Sequence, residues 1–420
     1  NNVSVGAGGN LGANTTGASN VAVGYASLSG NTTASNNVAV GFNSLGANTT
    51  GGDNTASGYD SLGDNTTGSF NSGVGYEALA RNTTASNNTA MGYRSLKTNT
   101  TGGSNIAIGT AALQANTTGS NNIGMGYHSL VSQTTGDNNV AIGFTAGHDM
   151  SSGHSNVFMG TQAGYANTTG FENSAFGFNA LDANTTGDNN TAIGRLALTS
   201  NTTAGSNTAV GIAALQTSTT GANNTAVGVS AGNVLTTGTN NTFIGYQAGS
   251  TRTTGGGNVC IGYRAGHDGT TSSDLLFIAR NNTGPSNAAT WIFGDDAGAC
   301  RQGNNATTWT QTSDERIKKN IVDSPNGLAK IDALQVRNFN YRTEEEITVE
   351  GLTGCDATGL QVGVIAQEIE AVLPEAVTES DSGQKQVQTD PIFWSMVKAI
   401  QELSTQNAAL AARLTTLEEG

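Results

Sequence analysis

The 420-residue chain is predicted to be mainly β: a parallel β-solenoid of 17-residue coils, then a small α+β region and a C-terminal coiled-coil helix. Three observations predict it. The segment Asn-x-Ala-aliphatic-Gly returns every 17 residues from Asn20 to Asn258, in fifteen copies without a slip. Glycine holds the fifth position in all of them, from Gly24 through Gly262. The repeat stops after Gly266, and two thirds of the charged residues fall in 271–420.

Seventeen residues are too few for a two-helix repeat, and Thr, Asn and Gly are poor helix formers, so each copy reads as one solenoid coil. Positions two to six alternate as a strand, with Thr or Val, Val or Ile, and Tyr or Phe on one side and Ala and Gly on the other. Neither side is charged. This predicts cover on both, one face inside its own coil and the other against a neighbouring subunit. The fifth glycine implies that backbone passes close by or that φ is positive there. Position fifteen is more tolerant, since Ala34, Ala85 and Ala204 replace glycine. The recurring Asn-Thr-Thr-Gly is expected to form a polar outside turn, and Asn side chains stacked coil on coil a hydrogen-bonded ladder. An imperfect sixteenth copy opens the chain at Asn2, one residue out of phase. A single coil carries only a few apolar side chains, so stability must come from stacking. At about 4.8 Å per strand the fifteen copies make a rod of roughly 70 Å.

Composition narrows the function. With 58 Gly and 11% charged residues the chain is a poor recipe for an enzyme core of large side chains, while 36% hydrophobic residues, regularly placed, exclude disorder. Only 4 Pro, and no glycine at every third position, exclude collagen. A formal charge of −14 without a basic patch argues against a nucleic-acid partner. Cys260, Cys300 and Cys355 are widely spaced with no CxxC pair, so neither a disulfide framework nor a zinc site is expected. Cys260 stands where Ala recurs and reads as a small buried thiol. No apolar run approaches the roughly 20 residues of a membrane helix, and Asn1 opens no signal-peptide pattern. A soluble chain without membrane insertion, whole or part of a longer one, is the expectation.

Other uses of the repeat are weaker. Ice-binding solenoids need Thr-x-Thr to share a face, whereas adjacent threonines point apart. Calcium-binding nonapeptides need Asp in a glycine-rich turn. Asn-Thr-Thr matches the glycosylation sequon, as a low-complexity repeat does by chance, and reads as solvated turns. His128, His148, His154 and His267 form no i, i+4 pair and read as surface histidines, with no metal or cofactor expected. Polysaccharide cleavage needs a carboxylate pair in a cleft, for which Asp60, Glu77 and Glu172 are isolated candidates.

The pattern of Asn207–Gly211 and its siblings resembles the head domain of trimeric autotransporter adhesins over about residues 1–270. That family folds as a left-handed parallel β-roll of three chains around one axis, and similar repeats occur in phage tail fibres. The resemblance implies a trimeric solenoid. The coil here is longer and the membrane-spanning C-terminal barrel of those adhesins is not recognisable, so an autotransporter is implied less strongly.

After residue 270, Leu275–Ala279 and Trp291–Gly294 read as short strands around the turn-prone Asn281–Ser286. Further on, Val336–Tyr341 and Val362–Ile365 read as strands and Ala366–Val372 as a helix stopped by Pro374. Two motifs stand in this region: Ser313-Asp314-Glu315-Arg316-Ile317-Lys318-Lys319-Asn320-Ile321 and Gly363-Val364-Ile365-Ala366-Gln367-Glu368-Ile369-Glu370-Ala371-Val372-Leu373-Pro374-Glu375. Together they closely resemble the C-terminal intramolecular chaperone, auto-processing domain of endosialidases, tailspikes and phage tail fibres, over 312–420. The resemblance implies a trimeric chaperone domain that assembles the fibre ahead of it and cuts itself off before the motif serine. The residues suit that chemistry. Ser313 would attack the Thr312 carbonyl, with Lys318 as general base once burial or a nearby cation lowers its pKa. Their spacing shares a face of neither helix nor strand, so they would meet around a turn or across subunits. The bland alternative is an inert relative with Asp314, Arg316 and Lys318 as charged surface.

The terminal helix is expected from about Asp390 to Leu417, with Phe393, Ile400, Asn407 and Leu414 at heptad a and Met396, Leu403, Leu410 and Leu417 at d. A solitary amphipathic helix is the alternative. The expected organisation is a shaft over 1–270, a β connector over 271–312, a chaperone domain over 313–389 and a coiled-coil helix over 390–420. The expected function is a structural and host-recognition fibre of a phage or phage-like tail, located on the virion or an extracellular surface. Its partners would be its own copies and a host cell-surface receptor or glycan. Any enzymatic activity would be a single-turnover Ser313/Lys318 self-cleavage. A bacterial cell-surface adhesin is the rival, and a polysaccharide-degrading tailspike a third reading.

Overall fold

The computed structural model describes residues 1–266, 271–280, 290–294, 300–302, 324–325, 327–342, 346–347, 359–379 and 385–419. The chain divides into two compact units, Asn1–Thr310 and Gln311–Gly420.

The first unit is a parallel β-solenoid. Strand β1 (Val3–Val5), strand β2 (Val21–Val23) and then one strand every 17 residues to β16 (Val259–Ile261) stack coil on coil. Partners such as Thr208 and Thr225 sit side by side. The out-of-phase first copy is accommodated too, with Val3 opposite Val21. Its extra residue lies in the Gly8-Gly9 stretch, so that Leu11 regains the phase of Leu28. Each strand covers positions two to four only.

The middle strand residue, usually Ala, is fully buried, as at Ala22, Ala39 and Ala56, while its neighbours are half-buried or exposed. The small side chains therefore line the coil's own core, and the bulky ones point away from it. Position nine closes that core with a buried Leu, such as Leu28, Leu45 and Leu62. These leucines hold a left-handed backbone, φ 50 at Leu28 and 52 at Leu62. Position seven is left-handed as well, for instance Ala26 at φ 54. Strain of this kind survives only where the surroundings over-determine it, here by bonds to the coils on both sides. Leu45 N–H donates to the Ser61 carbonyl at 3.0 Å, and Asn43 N–H to the Tyr25 carbonyl at 2.9 Å.

At the fifth glycine both physical demands hold together. Gly211 has φ +135, and a Cβ there would stand 2.5 Å from the Gly228 carbonyl oxygen of the next coil. Gly109 repeats this with φ +129 and 2.5 Å to Gly126.

Two asparagine ladders run through the interior. In the first, the Asn20 Oδ1 accepts the Asn37 backbone N–H at 2.9 Å, and Asn37 Nδ2 donates to the Gly51 carbonyl at 3.0 Å. In the second, the position-twelve Asn of the Asn-Thr-Thr-Gly turn donates backward: Asn82 Nδ2 to Asn65 Oδ1 at 2.8 Å and to the Ala85 carbonyl at 2.9 Å. This corrects the picture of a wholly outward polar turn. Asn31, Asn48, Asn65 and Asn82 are fully buried, because ladder and turn carbonyls satisfy the amide. An enclosed amide with both ends bonded is no glycan acceptor, and the sequon reading ends there. The second ladder is broken by Gln133 and Met150, resumes at Asn167, and gives way to Ser218, Leu235 and Arg252. Of the paired threonines, Thr32 Oγ1 donates to the Thr49 carbonyl at 3.0 Å while Thr33 is exposed. They share no flat face.

The strand stack runs one step past the last consensus copy. Strand β17 (Leu276–Ala279) pairs in parallel with β16, Val259 opposite Leu276. Strands β18 (Thr290–Gly294) and β19 (Cys300–Gln302) then continue the sheet antiparallel.

The second unit is small and α+β. Helix α1 (Leu328–Ala333) precedes strand β20 (Arg337–Phe339), which pairs antiparallel with β21 (Gln361–Gly363). Helix α2 (Ala366–Glu370) leads through a short 3-10 turn at Pro374–Ala376 to β22 (Val377–Glu379), paired antiparallel with β23 (Lys385–Val387). Ile369, Leu373 and Ala376 form its core, with Val364, Val387 and Ile392 packed against them. The long helix α3 (Thr389–Glu418) closes the chain. Among the described residues no helix is long and apolar enough to cross a membrane.

Candidate functional site

Thr312, Ser313 and Lys318 lie outside the described residues. The described elements C-terminal to them are tied together by charged side chains. The second motif supplies Glu368, whose Oε1 accepts from Arg337 Nη2 at 2.8 Å and whose Oε2 accepts from Arg337 Nε at 3.1 Å. The arginine holds that carboxyl below the usual glutamate range and fixes β20 to α2. Glu370, from the same motif, pairs with Lys385 and ties α2 to β23. At the start of α1 the backbone N–H of Leu328 donates to Glu402 Oε2 on α3 at 2.8 Å.

Among the described residues, two long apolar faces stand uncovered on the single chain. One is the outward strand face of the solenoid, where Val40, Val74, Met91, Ile193, Val227 and Ile244 are exposed at position four. Beside it, position six carries an aromatic stack: Tyr25, Phe42, Tyr59, Tyr76 and Tyr93, with centroids 5.0 to 5.4 Å apart and planes within 16°. The rings stack face to face and remain about half exposed. Arg94 caps the column 4.9 Å over Tyr93. The other surface is the α3 seam, where Phe393, Met396, Ile400, Leu403, Leu410, Leu414 and Leu417 are all exposed.

The coil path brings together residues that linear spacing keeps apart. His128 and His148 lie side by side with ring centroids 6.0 Å apart, between Tyr127 at 4.0 Å from His128 and Tyr165 at 4.8 Å from His148. Burial and the neighbouring imidazole push His128 below the ordinary histidine value. His148 Nδ1 is 2.7 Å from Asp149 Oδ1. His154 stacks on Phe171 at 4.9 Å. His267 lies outside the described residues. Among the described residues no group of three or more His, Cys, Asp or Glu could hold a metal ion.

The three isolated carboxylates form no cleft pair. Asp60 and Glu77 occupy position seven of successive coils, but Glu77 is committed to Arg94 at 2.7 Å and Lys97 at 2.6 Å. Asp60 accepts from Asn43 Nδ2 at 2.6 Å, and burial pushes its carboxyl up. Glu172 stands at position seventeen, on another corner. Cys260 is buried, its thiol pushed up to about 11 by burial against a partial counter-effect of Arg252. The Arg252 guanidinium is itself enclosed, 5.2 Å over the Phe277 ring.

Residues 313–378 match the family model described as chaperone of endosialidase. A chaperone domain of that kind is present. Its matched region opens at Ser313 and takes in α1, β20, β21 and α2, together with the Arg337–Glu368 pair. No solved structure matches the chain.

Proposed function

We propose that this chain is the subunit of a homotrimeric fibre of a phage or phage-like tail, assembled by its C-terminal intramolecular chaperone and carrying a host cell-surface receptor or glycan contact on its solenoid. The observation that carries the reading is the chaperone-of-endosialidase match opening at Ser313, C-terminal to a solenoid in the same chain. The uncovered surfaces support it. An exposed aliphatic and aromatic strip repeated in coil after coil, and an α3 seam exposed at a and d, are what three copies would cover.

On this reading Ser313 attacks the Thr312 carbonyl and Lys318 accepts the serine proton. Lys318 returns that proton to the Ser313 amine as the Thr312–Ser313 peptide bond breaks, the Thr312 acyl group is left as an ester on Ser313 Oγ, and water hydrolyses the ester to the Thr312 carboxylate and the free hydroxyl. The tethered bond supplies its own high effective concentration. Denaturing mass spectrometry of freshly expressed protein should show two fragments, the smaller beginning at Ser313. Ser313→Ala and Lys318→Ala should each leave one full-length chain that native mass spectrometry finds as a trimer. A wild-type trimer that keeps a single intact mass on prolonged incubation rejects the cut, and a monomer rejects the fibre. Comparing binding to intact host cells with and without residues 1–270 tests where recognition resides.

A further inference from the structure

We propose that the solenoid carries covalent cross-linking sites, at which one-electron oxidation joins Tyr76 to Tyr59 or Tyr93, and Tyr246 to Tyr263, as dityrosine. Position six sets these phenols one coil apart. The ring centroids of Tyr59 and Tyr76 are 5.1 Å apart, those of Tyr76 and Tyr93 5.4 Å, and those of Tyr246 and Tyr263 5.3 Å, with planes within 16°. All five rings are 41 to 47% exposed, so a small oxidant reaches them. Of the nine tyrosines, only these five stand 17 residues from another tyrosine. At that step Tyr25 has Phe42, Tyr127 has Thr110 and Phe144, and Tyr165 has His148 and Asp182. Tyr341, in the second unit, meets the ring of Phe339.

The step balances with hydrogen peroxide as the oxidant and a haem peroxidase to pass its electrons. Each phenol gives up one electron and its O–H proton, which leaves a phenoxyl radical with spin on the carbons ortho to oxygen. Two ortho carbons join in a C–C bond. The hydrogen on each of those carbons then moves to the neighbouring oxygen, so both phenols are restored. The product lacks two hydrogens, and one peroxide takes them up as two waters. Stacked rings must turn about their Cβ–Cγ bonds for the ortho carbons to meet, a motion that half-exposed side chains make on short timescales. Strand pairing holds the two backbones about 4.8 Å apart, so the partner radical is present at high effective concentration and coupling within the chain outruns coupling between chains. The new bond staples one coil to the next. Neither the fibre reading nor the cut before Ser313 is needed for it.

The test treats the full chain with a haem peroxidase and hydrogen peroxide, then reads dityrosine fluorescence and the masses of tryptic peptides. Trypsin cuts after Arg81, Arg94, Arg252 and Arg264. Coupling should therefore join the peptide of Tyr76 to that of Tyr93 and the peptide of Tyr246 to that of Tyr263, and should take two hydrogens from the peptide that holds both Tyr59 and Tyr76. Tyr76→Phe combined with Tyr246→Phe keeps every ring and should lose nearly all the fluorescence. Adding Phe42→Tyr to that double variant sets a phenol between Tyr25 and Tyr59 and should restore the fluorescence. Wild type that forms no dityrosine overturns the inference, as does a Phe42→Tyr variant that restores none. Cross-links that use Tyr25, Tyr127 or Tyr165 as often as the five paired tyrosines overturn it too. So do cross-links that denaturing gels show to run between chains.

Discussion

Phe158 and Gly164 share one space. A Cβ on Gly164 would stand 2.7 Å from three carbons of the Phe158 ring, and one on Gly147 would stand 3.1 Å from its Cδ2. The repeat puts Ala where Phe158 stands and Leu where both glycines stand, so one ring in the core replaces two leucines. Phe243 makes the same exchange with Gly232 and Gly249, at 2.6 and 2.5 Å.

The exchange predicts non-additive mutations. Phe158→Ala should cost about 3–5 kcal/mol through the cavity it leaves. Gly164→Leu should cost about 1–3 kcal/mol through overpacking. Combining Phe158→Ala with Gly147→Leu and Gly164→Leu rebuilds the consensus core, and most of the loss should return. Left-handed backbone is no obstacle, because Leu already occupies φ 50 at Leu28 and Gly164 has φ +60. Urea unfolding of the set decides it, and simply additive losses would refute the shared space.

The buried ladder predicts a graded polar series. Asn82→Ala leaves the Asn65 Oδ1 without its donor, at about 1–3 kcal/mol, while the Ala85 carbonyl keeps the bond from Asn71 Nδ2 at 2.9 Å. Asn82→Asp should be worse, since it sets a carboxylate against two acceptors. Ser218→Ala is the control, because the ladder has already ended there and the serine makes only a 3.5 Å bond to the Gly221 carbonyl. Thermal unfolding in which Ser218→Ala matches Asn82→Ala would deny the ladder its weight.

Positions five and fifteen should respond differently to one methyl group. Gly211→Ala meets the Gly228 carbonyl at φ +135 and should cost about 3 kcal/mol or more. Gly187→Ala should cost less than Gly211→Ala, because Gly187 is outside the left-handed region and, although a Cβ there presses on the Ala204 carbonyl of the next coil, Ala34, Ala85 and Ala204 occupy that position naturally. Denaturation midpoints of the two variants check the difference.

Cys260 predicts an alkaline limb. Burial raises its thiol from 9.0 to about 11, so the folded chain holds the proton more firmly than the unfolded chain does. Below about pH 9 both states are protonated and stability is unaffected by this group. Between about 9 and 11 the unfolded state gains by ionising, and stability should fall with rising pH. Cys260→Ala, the residue the repeat uses elsewhere, should remove that part of the fall. An unchanged alkaline profile in the variant would show that the limb belongs to other groups.

The solenoid was legible where the chemistry recurs at a fixed step. The fifth glycine announced a close approach or a positive φ, both of which hold, and the recurring asparagines announced a ladder. The side on which position-twelve Asn31 lies was not legible, because an amide goes inside only when acceptors await it. Those acceptors, Asn14 Oδ1 and the Ala34 carbonyl, are set by the coil path. The same path joins Glu77 to Lys97 and His128 to His148, each pair 20 residues apart, a spacing that is neither helical nor the repeat step. In the second unit the heptads foretold α3, whereas Glu402 beneath α1 had no local signal. The Ser313 and Lys318 expectation lies outside the described residues and rests on motif and chemistry.

The strands of the solenoid lie across the direction in which its coils succeed one another, and each coil is joined to the next by backbone bonds, the ladders and the shared core. Tension applied to the two ends of this unit therefore loads those bonds coil by coil, not all at once. A coil that yields gives up about 4.8 Å of stack and releases 17 residues, up to about 58 Å of extended chain. The remaining coils keep their registry. Each failed coil lengthens roughly tenfold while the rest of the stack stays in place, so force is dissipated in small steps.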